Sequence, residues 1–199
     1  MIAAKPEAEC RVCGKAFLRF NTTQAVCGLG CARRVGPLQR KAQAEERRQL
    51  RGRLEALKSR SKWLAEAQAA FNAFVRLRDA HLPCISCQRF HEGSWDAGHY
   101  LTTGARPELR FDERNVHRQC VPCNRHLHGN LVLYRLGLIA RIGTDAVAVL
   151  EGPHAAAKYS VDQLREIRDT YRARARQLKA MQENDMTVSG QVSAEVSKA

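Results

Sequence analysis

The chain has 199 residues, of which 44% are hydrophobic and 27% charged, so it fits one compact domain with extensions, or two small ones, and is not disordered throughout. Its 33 Lys and Arg residues against 20 Asp and Glu residues give a formal net charge of +13, which favours a polyanionic partner such as nucleic acid. The first ten residues lack the apolar core of a signal peptide, and no run of about 18 apolar residues exists, so we expect a cytoplasmic protein with no membrane partner.

Four cysteines lie in the first 34 residues, as a C-x2-C pair and a C-x3-C pair separated by thirteen residues. Thiols stay reduced in a cytoplasm, and two short-spaced thiolate pairs match a tetrahedral zinc site. The alternative, a redox-active C-x-x-C, lacks a surrounding strand–helix pattern of the thioredoxin type. Residues 1–34 are therefore predicted to be a zinc knuckle with a closed, non-catalytic ligand shell. Its predicted ligands are Cys10, Cys13, Cys27 and Cys31.

Residues 35–80 have helical periodicity, in two pieces, and form a predicted basic arm. Between residues 33 and 62 there are eleven Lys or Arg residues against three Glu residues. Sequence-independent phosphate contact is the favoured interpretation, and a merely solvated helix is the alternative. Ser59 or Ser61 can cap the second piece, whose aromatic stripe from Trp63 to Leu77 favours core packing over base stacking. The cations expected on DNA are Arg47, Arg48, Arg51, Arg53, Lys58, Arg60 and Lys62.

A second set of four cysteines lies within residues 81–143, as two C-x2-C pairs separated by 32 residues. The same argument predicts a second structural zinc site, with Cys84, Cys87, Cys120 and Cys123 as ligands. Short strands are expected around "GSWDAGHYL" and "PELRFD". A helix is expected from residue 130 to 142, where Gly143 is suited to end it.

Residues 144–183 are predicted to be a C-terminal helical segment. The sequence "SVDQ" at residues 160–163 matches a capping box and opens a helix that ends near Glu183, with its apolar face on other elements. The arginines of this helix form a second candidate DNA contact: Arg165, Arg168, Arg172, Arg174 and Arg176. The small and polar residues 184–199 are predicted to be disordered.

The order Cys84, Cys87, His99, Asn115, Cys120, Cys123, Asn124 resembles the HNH endonuclease motif in its zinc-supported ββα-metal form. The resemblance covers about 45 residues. Together with the elements above, it implies an α+β fold that is mostly helical, with a small zinc-supported HNH-like centre and the N-terminal four-cysteine knuckle.

The resemblance also implies the catalytic roles. A neutral His99 would take a proton from the attacking water, and Asn115 would orient that histidine through a hydrogen bond. Each residue also has a structural alternative. His99 can be a structural histidine whose hydrogen bonds are satisfied within the fold, and Asn115 can be a turn or cap residue. The nearby His117 and His126 are further candidate DNA contacts.

A catalytic Mg²⁺ or Mn²⁺ is implied beside His99, with Asn124 and His128 as ligands on one face of the following helix. His128 can alternatively be a surface or phosphate-contacting histidine. HNH enzymes usually carry a metal ligand immediately before the first histidine, and here that residue is Gly98. The nearest substitute is Asp96, which reaches the site only if a bulge at Gly98 turns it round.

Beyond this motif, "KSRSKWLAEAQAAFNAFVRLRD", "LPCISC", "AGHY", "PELRF" and "QCVPCN" resemble the NinG (Rap) recombination proteins of lambda-like phages. The resemblance extends over about residues 8–180, and it implies a structure-specific endonuclease that cuts branched DNA such as Holliday junctions or D-loops in the host cytoplasm. Symmetric cutting of a junction would favour a homodimer. The alternatives are a non-catalytic, zinc-containing nucleic-acid-binding protein and a general HNH nuclease without branch preference.

Overall fold

A computed structural model describes residues 7–196, with side chains as far as residue 184. The chain divides into two compact units, residues 1–58 and residues 59–199. The predicted basic arm is therefore shared, because its first helix belongs to the first unit and its second helix to the second. No helix among the described residues combines the length and apolar character needed to cross a bilayer.

The first unit consists of a small antiparallel hairpin and one long helix. Strand β1 (Glu7–Glu9) pairs with β2 (Ala16–Leu18), and helix α1 runs from Leu29 to Ala56. Gly14 permits the turn between the strands with φ +71°, a region that disfavours side chains. No residue of α1 is buried. The apolar positions Leu50 and Leu54 are each 56% exposed, so packing within this unit does not account for them.

Helices α2 (Arg60–Arg78) and α5 (Val161–Val196) pack against each other in the second unit. The predicted stripe of α2 is confirmed as core, since Trp63 and Phe71 are almost fully buried and contact the α5 side chains Leu164 and Tyr171. Helix α1 starts at Leu29, six residues before the predicted start of the arm at residue 35, whereas α2 starts as predicted. Ser59 Oγ accepts a hydrogen bond from the Lys62 N–H at 3.3 Å.

The capping box at the start of α5 is also confirmed. Ser160 N–H donates to Gln163 Oε1 at 2.8 Å, and Gln163 N–H donates to Ser160 Oγ at 3.2 Å. The far end of α5 differs from the prediction, because the backbone stays helical to Val196 instead of ending near residue 183. No proline interrupts residues 184–196, and each added residue propagates a helix more easily than the first turn forms. Residues 197–199 of the predicted disordered tail lie outside the described range.

Strands β3 (Trp95–His99) and β4 (Val116–Cys120) form an antiparallel pair with a regular register, from Trp95 opposite Cys120 to His99 opposite Val116. The first predicted strand is confirmed, and the second is wrong. Residues 107–109 of "PELRFD" form a single 3₁₀ turn. Pro107 cannot donate a backbone N–H to a strand ladder, which explains why this segment belongs to the connection.

Helix α3 (Leu131–Ile142) ends at Gly143 as predicted, with φ +86° at this glycine. Helix α4 (Thr144–Glu151) follows directly and packs on α3. Tyr134 and Leu138 of α3 join Val147 and Leu150 of α4 in a core cluster, and none of these four residues is exposed. This cluster supports the segment that connects β4 to α3, where most of the candidate site lies.

Candidate functional site

The second cysteine set is assembled in the structure. The Sγ atoms of Cys84, Cys87, Cys120 and Cys123 all lie within 4.8 Å of one another, and the Cys87–Cys120 pair is 3.9 Å apart. Zinc–sulfur bonds of about 2.3 Å in a tetrahedron place the sulfurs about 3.8 Å apart, so the set could hold a zinc ion. Such an ion would join the end of β4 to the 84–87 turn.

The N-terminal set meets the same test. Cys10, Cys13, Cys27 and Cys31 bring their Sγ atoms within 4.8 Å of one another, with Cys27 at 3.6 Å from both Cys13 and Cys31. Cys31 lies in the first turn of α1. A zinc ion held here would therefore fix the start of the basic helix on the β1–β2 hairpin.

Three residues predicted from the HNH resemblance line one open pocket of about 280 Å³: His99, Asn124 and His128. The expected helical face does not bring them together. Residues 122–126 form a single π-helical turn, and His128 follows it with φ +48°, outside any helix. The grouping is as predicted, although its geometric reason is different. The pocket is completed by Ala97, Thr102, Thr103, Gly129 and Leu131.

His99 is mostly buried, and its Nε2 lies 3.1 Å from the carbonyl oxygen of Arg110. A carbonyl only accepts, so Nε2 carries the proton and Nδ1 keeps the lone pair. Burial lowers the pKa of His99, and the positive charge of Arg110 acts in the same direction, while the carbonyl hydrogen bond opposes both. The imidazole is therefore neutral near pH 7, which is the form that can accept a proton.

Asn115 does not orient His99 directly, so the predicted hydrogen bond between them is wrong. Its side chain is fully buried and clamps the β3–β4 connection. Nδ2 donates to the carbonyls of Leu101 at 3.0 Å and Leu109 at 3.2 Å, and Oδ1 accepts from Leu101 N–H at 2.8 Å. Leu109 precedes Arg110, whose carbonyl contacts His99. Asn115 thus acts on the histidine through the backbone of this connection.

Asp96 is not placed as a metal ligand, which corrects the tentative assignment. The regular β3–β4 register contains no bulge at Gly98 to turn Asp96 round, and Asp96 does not line the pocket. Its carboxylate accepts two hydrogen bonds from Arg125, both at 2.8 Å, and one from Asn124 Nδ2 at 2.9 Å. The Arg125 contact is the main reason that the pKa of Asp96 lies below its usual value.

Gly98 is required by a residue that the sequence pattern did not reveal. A Cβ atom built at Gly98 would lie 2.0 Å from Oε1 of Gln119. Gln119 is fully buried and donates Nε2 to Ser86 Oγ at 2.7 Å and to the Gly129 carbonyl at 2.6 Å. It therefore connects the 84–87 turn with the segment beside His128. The sequence signal for this close contact with Gln119 was the glycine at position 98, where HNH enzymes usually carry a metal ligand.

A buried charged cluster around Asp79 was also not predicted. Asp79 accepts hydrogen bonds from the Arg78 guanidinium and from Arg118 N–H at 3.0 Å. These donors, together with His117, hold the pKa of Asp79 far below its usual value despite burial. His117 is itself only 3% exposed, so its expected role as a DNA contact is wrong. His126, by contrast, is exposed.

The predicted DNA-binding cations divide between the two units. Arg47, Arg48 and Arg51 lie along one exposed face of α1 together with Arg40, and Arg53 lies in the last turn of this helix. The remaining three are not all free. Lys58 lies 3.9 Å from Glu55, and Arg60 Nε donates to the Tyr159 carbonyl at 2.9 Å. Lys62 is exposed in the first turn of α2.

Two of the five α5 arginines that were expected to contact DNA are paired with carboxylates outside α5 instead. Arg168 is buried against the Trp63 ring and pairs with Glu66, and Arg174 pairs with Glu113. Arg168 therefore stabilises the packing of α5 on α2, and Arg174 joins α5 to the connection between β3 and β4. Arg172 and Arg176 are exposed.

A family model described as "Bacteriophage Lambda NinG protein" matches residues 2–183. The chain belongs to this phage NinG family. It is 52% identical over 124 residues to "Protein ninG" of Escherichia phage 933W, a match that covers 62% of each chain. It is 50% identical over 124 residues to "Protein ninG" of Escherichia phage lambda, covering 62% of this chain and 61% of that protein.

The matched region thus spans about three fifths of the length of these NinG relatives. No solved structure matches the chain.

Proposed function

We propose that this member of the NinG family is a metal-dependent endonuclease of the HNH type that cuts branched recombination intermediates. The observation that carries the proposal is the convergence of His99, Asn124 and His128 on one pocket beside the second cysteine cluster. These residues come from a strand, a π-helical turn and a connecting segment. A module that only binds DNA does not require this combination.

His99 is the general base in this proposal. Nε2 is bound to the Arg110 carbonyl, so Nδ1 is the atom that accepts a proton from water. The lowered pKa keeps the ring neutral at cellular pH. Asn115 holds the connection that carries this carbonyl, and therefore acts as a positioning residue.

Asn124 and His128 are the residues that would hold the divalent cation, Mg²⁺ or Mn²⁺. Asp96 accepts the Nδ2 hydrogen bond of Asn124, which leaves Oδ1 of Asn124 as the amide atom with lone pairs for a cation. A bound divalent ion would neutralise the scissile phosphate and the leaving 3′ oxygen, giving 5′-phosphate and 3′-hydroxyl ends. The two four-cysteine sets would hold structural zinc.

Branch preference follows from shape, because a phosphate and a cation carry no base sequence. The basic face of α1 belongs to the first unit and the candidate pocket to the second. A branched molecule offers separate arms to two such surfaces, whereas a linear duplex offers one. Symmetric paired cuts across a junction would favour a homodimer.

The direct test is incubation of purified protein with a labelled four-way junction and a linear duplex of matched sequence, with Mg²⁺, with Mn²⁺ and with EDTA. Metal-dependent nicking near the branch supports the proposal. Equal cutting of the linear duplex at physiological salt would indicate a general HNH nuclease.

A non-catalytic zinc protein that binds DNA is the second candidate function. The lining of the pocket favours this function. Among the described residues, no carboxylate lines the pocket, so a hard cation such as Mg²⁺ would need DNA phosphate as a further ligand. Tight junction binding without cleavage in either metal would support it.

A further inference from the structure

Two partly buried arginines, Arg110 beside His99 and Arg76 on α2, form no ion pair with a carboxylate among the described residues. Their neighbours behave differently, since Arg78 pairs with Asp79 and Arg106 pairs with Glu108. Partial burial of an unpaired guanidinium costs solvation free energy, which a bound anion would recover. These two cations are therefore candidates for contacts with an anionic ligand.

Arg110 is fixed next to the candidate base by two hydrogen bonds. Its backbone carbonyl contacts His99 Nε2 at 3.1 Å, and its guanidinium Nη1 donates to Gln68 Oε1 on α2 at 3.1 Å. The second bond occupies one of the five N–H donors of the guanidinium, and the others can bind a ligand. The guanidinium of Arg110 thus contacts α2, while the backbone of the same residue contacts His99 on β3.

A polar row on α2 extends from this point. Gln68 Nε2 donates to Asn72 Oδ1 at 2.7 Å, and Arg76 follows four residues later on the same face of the helix. All three are partly buried. Helix α2 packs against β3, the strand that carries His99, and the row begins at Gln68, which Arg110 contacts.

We propose that Arg110, Asn72 and Arg76 form a phosphate-binding track that holds the DNA strand on one side of the scissile phosphate. Guanidinium and amide N–H groups are the donors that DNA phosphates accept, and they position a strand without reading its bases. The track rests on the proposed function for its substrate. It adds residues outside the basic arm and outside the pocket, and it gives the strand a path past His99.

The test compares the salt dependence of binding in the absence of metal. Fluorescence anisotropy with a labelled four-way junction in EDTA is measured over a range of salt concentrations for the wild type, Arg76→Gln, Arg110→Lys and the double variant Arg76→Gln/Arg110→Gln. Removal of one phosphate-binding cation should lower the log–log salt slope by about 0.9 on duplex DNA. We expect a decrease for Arg76→Gln, a larger one for the double variant, and a near-normal slope for Arg110→Lys.

The matched control is Arg114→Gln. Arg114 is exposed, lies in the same connection as Arg110 and already pairs with Asp112 at 2.7 Å, so its removal should leave the slope unchanged. Thermal unfolding of each variant verifies the fold. If the Arg110 variants fail to fold, Arg76→Gln alone still tests the track. Arg76 makes no hydrogen bond to another described side chain, so its replacement should not disturb the fold.

Binding in EDTA separates this proposal from the proposed function. A protein that cuts no DNA would contradict the nuclease assignment, yet the slope would still decrease in the track variants. Wild-type slopes for both Arg76→Gln and the folded double variant would overturn the track, whether or not the protein cuts DNA.

Discussion

Oε1 of Gln119 occupies the space that a side chain at Gly98 would need, since a Cβ atom there would lie 2.0 Å away. Gln119 is held by two further hydrogen bonds, so it cannot move aside without breaking them. The glycine before His99 is therefore a packing requirement of this chain. A metal ligand at this position is excluded as long as Gln119 is present.

We predict that Gly98→Ala destabilises the protein by about 1–3 kcal/mol, the usual cost of overpacking a filled site. Urea unfolding of Gly98→Ala, Gln119→Ala and the double variant measures the coupling between the two positions. The double variant should be more stable than the sum of the single changes predicts. Additive effects would show that Gln119 does not limit this position.

Asp96 and Asn124 are predicted to differ in their effect on the metal requirement. Asn124→Ala removes a candidate ligand, so the Mg²⁺ or Mn²⁺ concentration for half-maximal cleavage should rise by about 10-fold or more. Asp96→Ala removes the acceptor that orients Asn124 and pairs with Arg125 but removes no ligand, so the rise should be smaller. Glu108→Gln, a change at another carboxylate that pairs with an arginine, is the control. A larger shift for Asp96→Ala would return Asp96 to the ligand set.

The second cysteine set is predicted to be structural. Cys120→Ser should release one zinc ion and unfold the centre, because zinc binding contributes directly to the folding free energy of such sites. Elemental analysis should find two zinc ions in the wild type and one in this variant. Cys13→Ser is the matched control, which should also lose one zinc ion while the second unit keeps its helical packing. Full zinc content in a normally folded Cys120→Ser protein would refute the ligand assignment.

The pH dependence of cleavage should reflect His99. Only the neutral imidazole accepts a proton, and burial lowers its pKa below the usual 6.5. The acidic limb of kcat/KM should therefore have its midpoint below pH 6.5, with activity lost as the pH falls through it. A variant of an exposed histidine outside the pocket, His81→Ala, should keep the same limb. A midpoint well above 6.5 would mean that another group is the base.

The sequence was sufficient where local spacing determines structure. The paired cysteines predicted both clusters, and the capping box predicted the start of α5, because these signals involve neighbours in the chain. It failed where contacts are non-local. Asn115 binds backbone six to fourteen residues away, and Gln119 contacts Ser86 across 33 positions. The hydrophobic periodicity of the sequence does not predict the hydrogen-bond partners of either residue.

The segment from residue 107 to 111 shows a second limit of local reasoning. Its apolar and polar residues alternate like those of a strand, but Pro107 and the clamp by Asn115 make it part of a connection. His128 was grouped correctly with Asn124, although the assumed helix ends before it. The residue types identified the pocket, and the backbone path that assembles it required the structure.

The most direct measurement for the central claim is single-turnover cleavage of a four-way junction by His99→Ala, with junction affinity measured in EDTA. A general base acts in the transition state and does not contribute phosphate affinity. We therefore predict that the cleavage rate falls by at least about 10²-fold while affinity changes little. His99→Ala protein that cleaves at the wild-type rate would contradict the assignment of His99 as the base and of this pocket as the catalytic site.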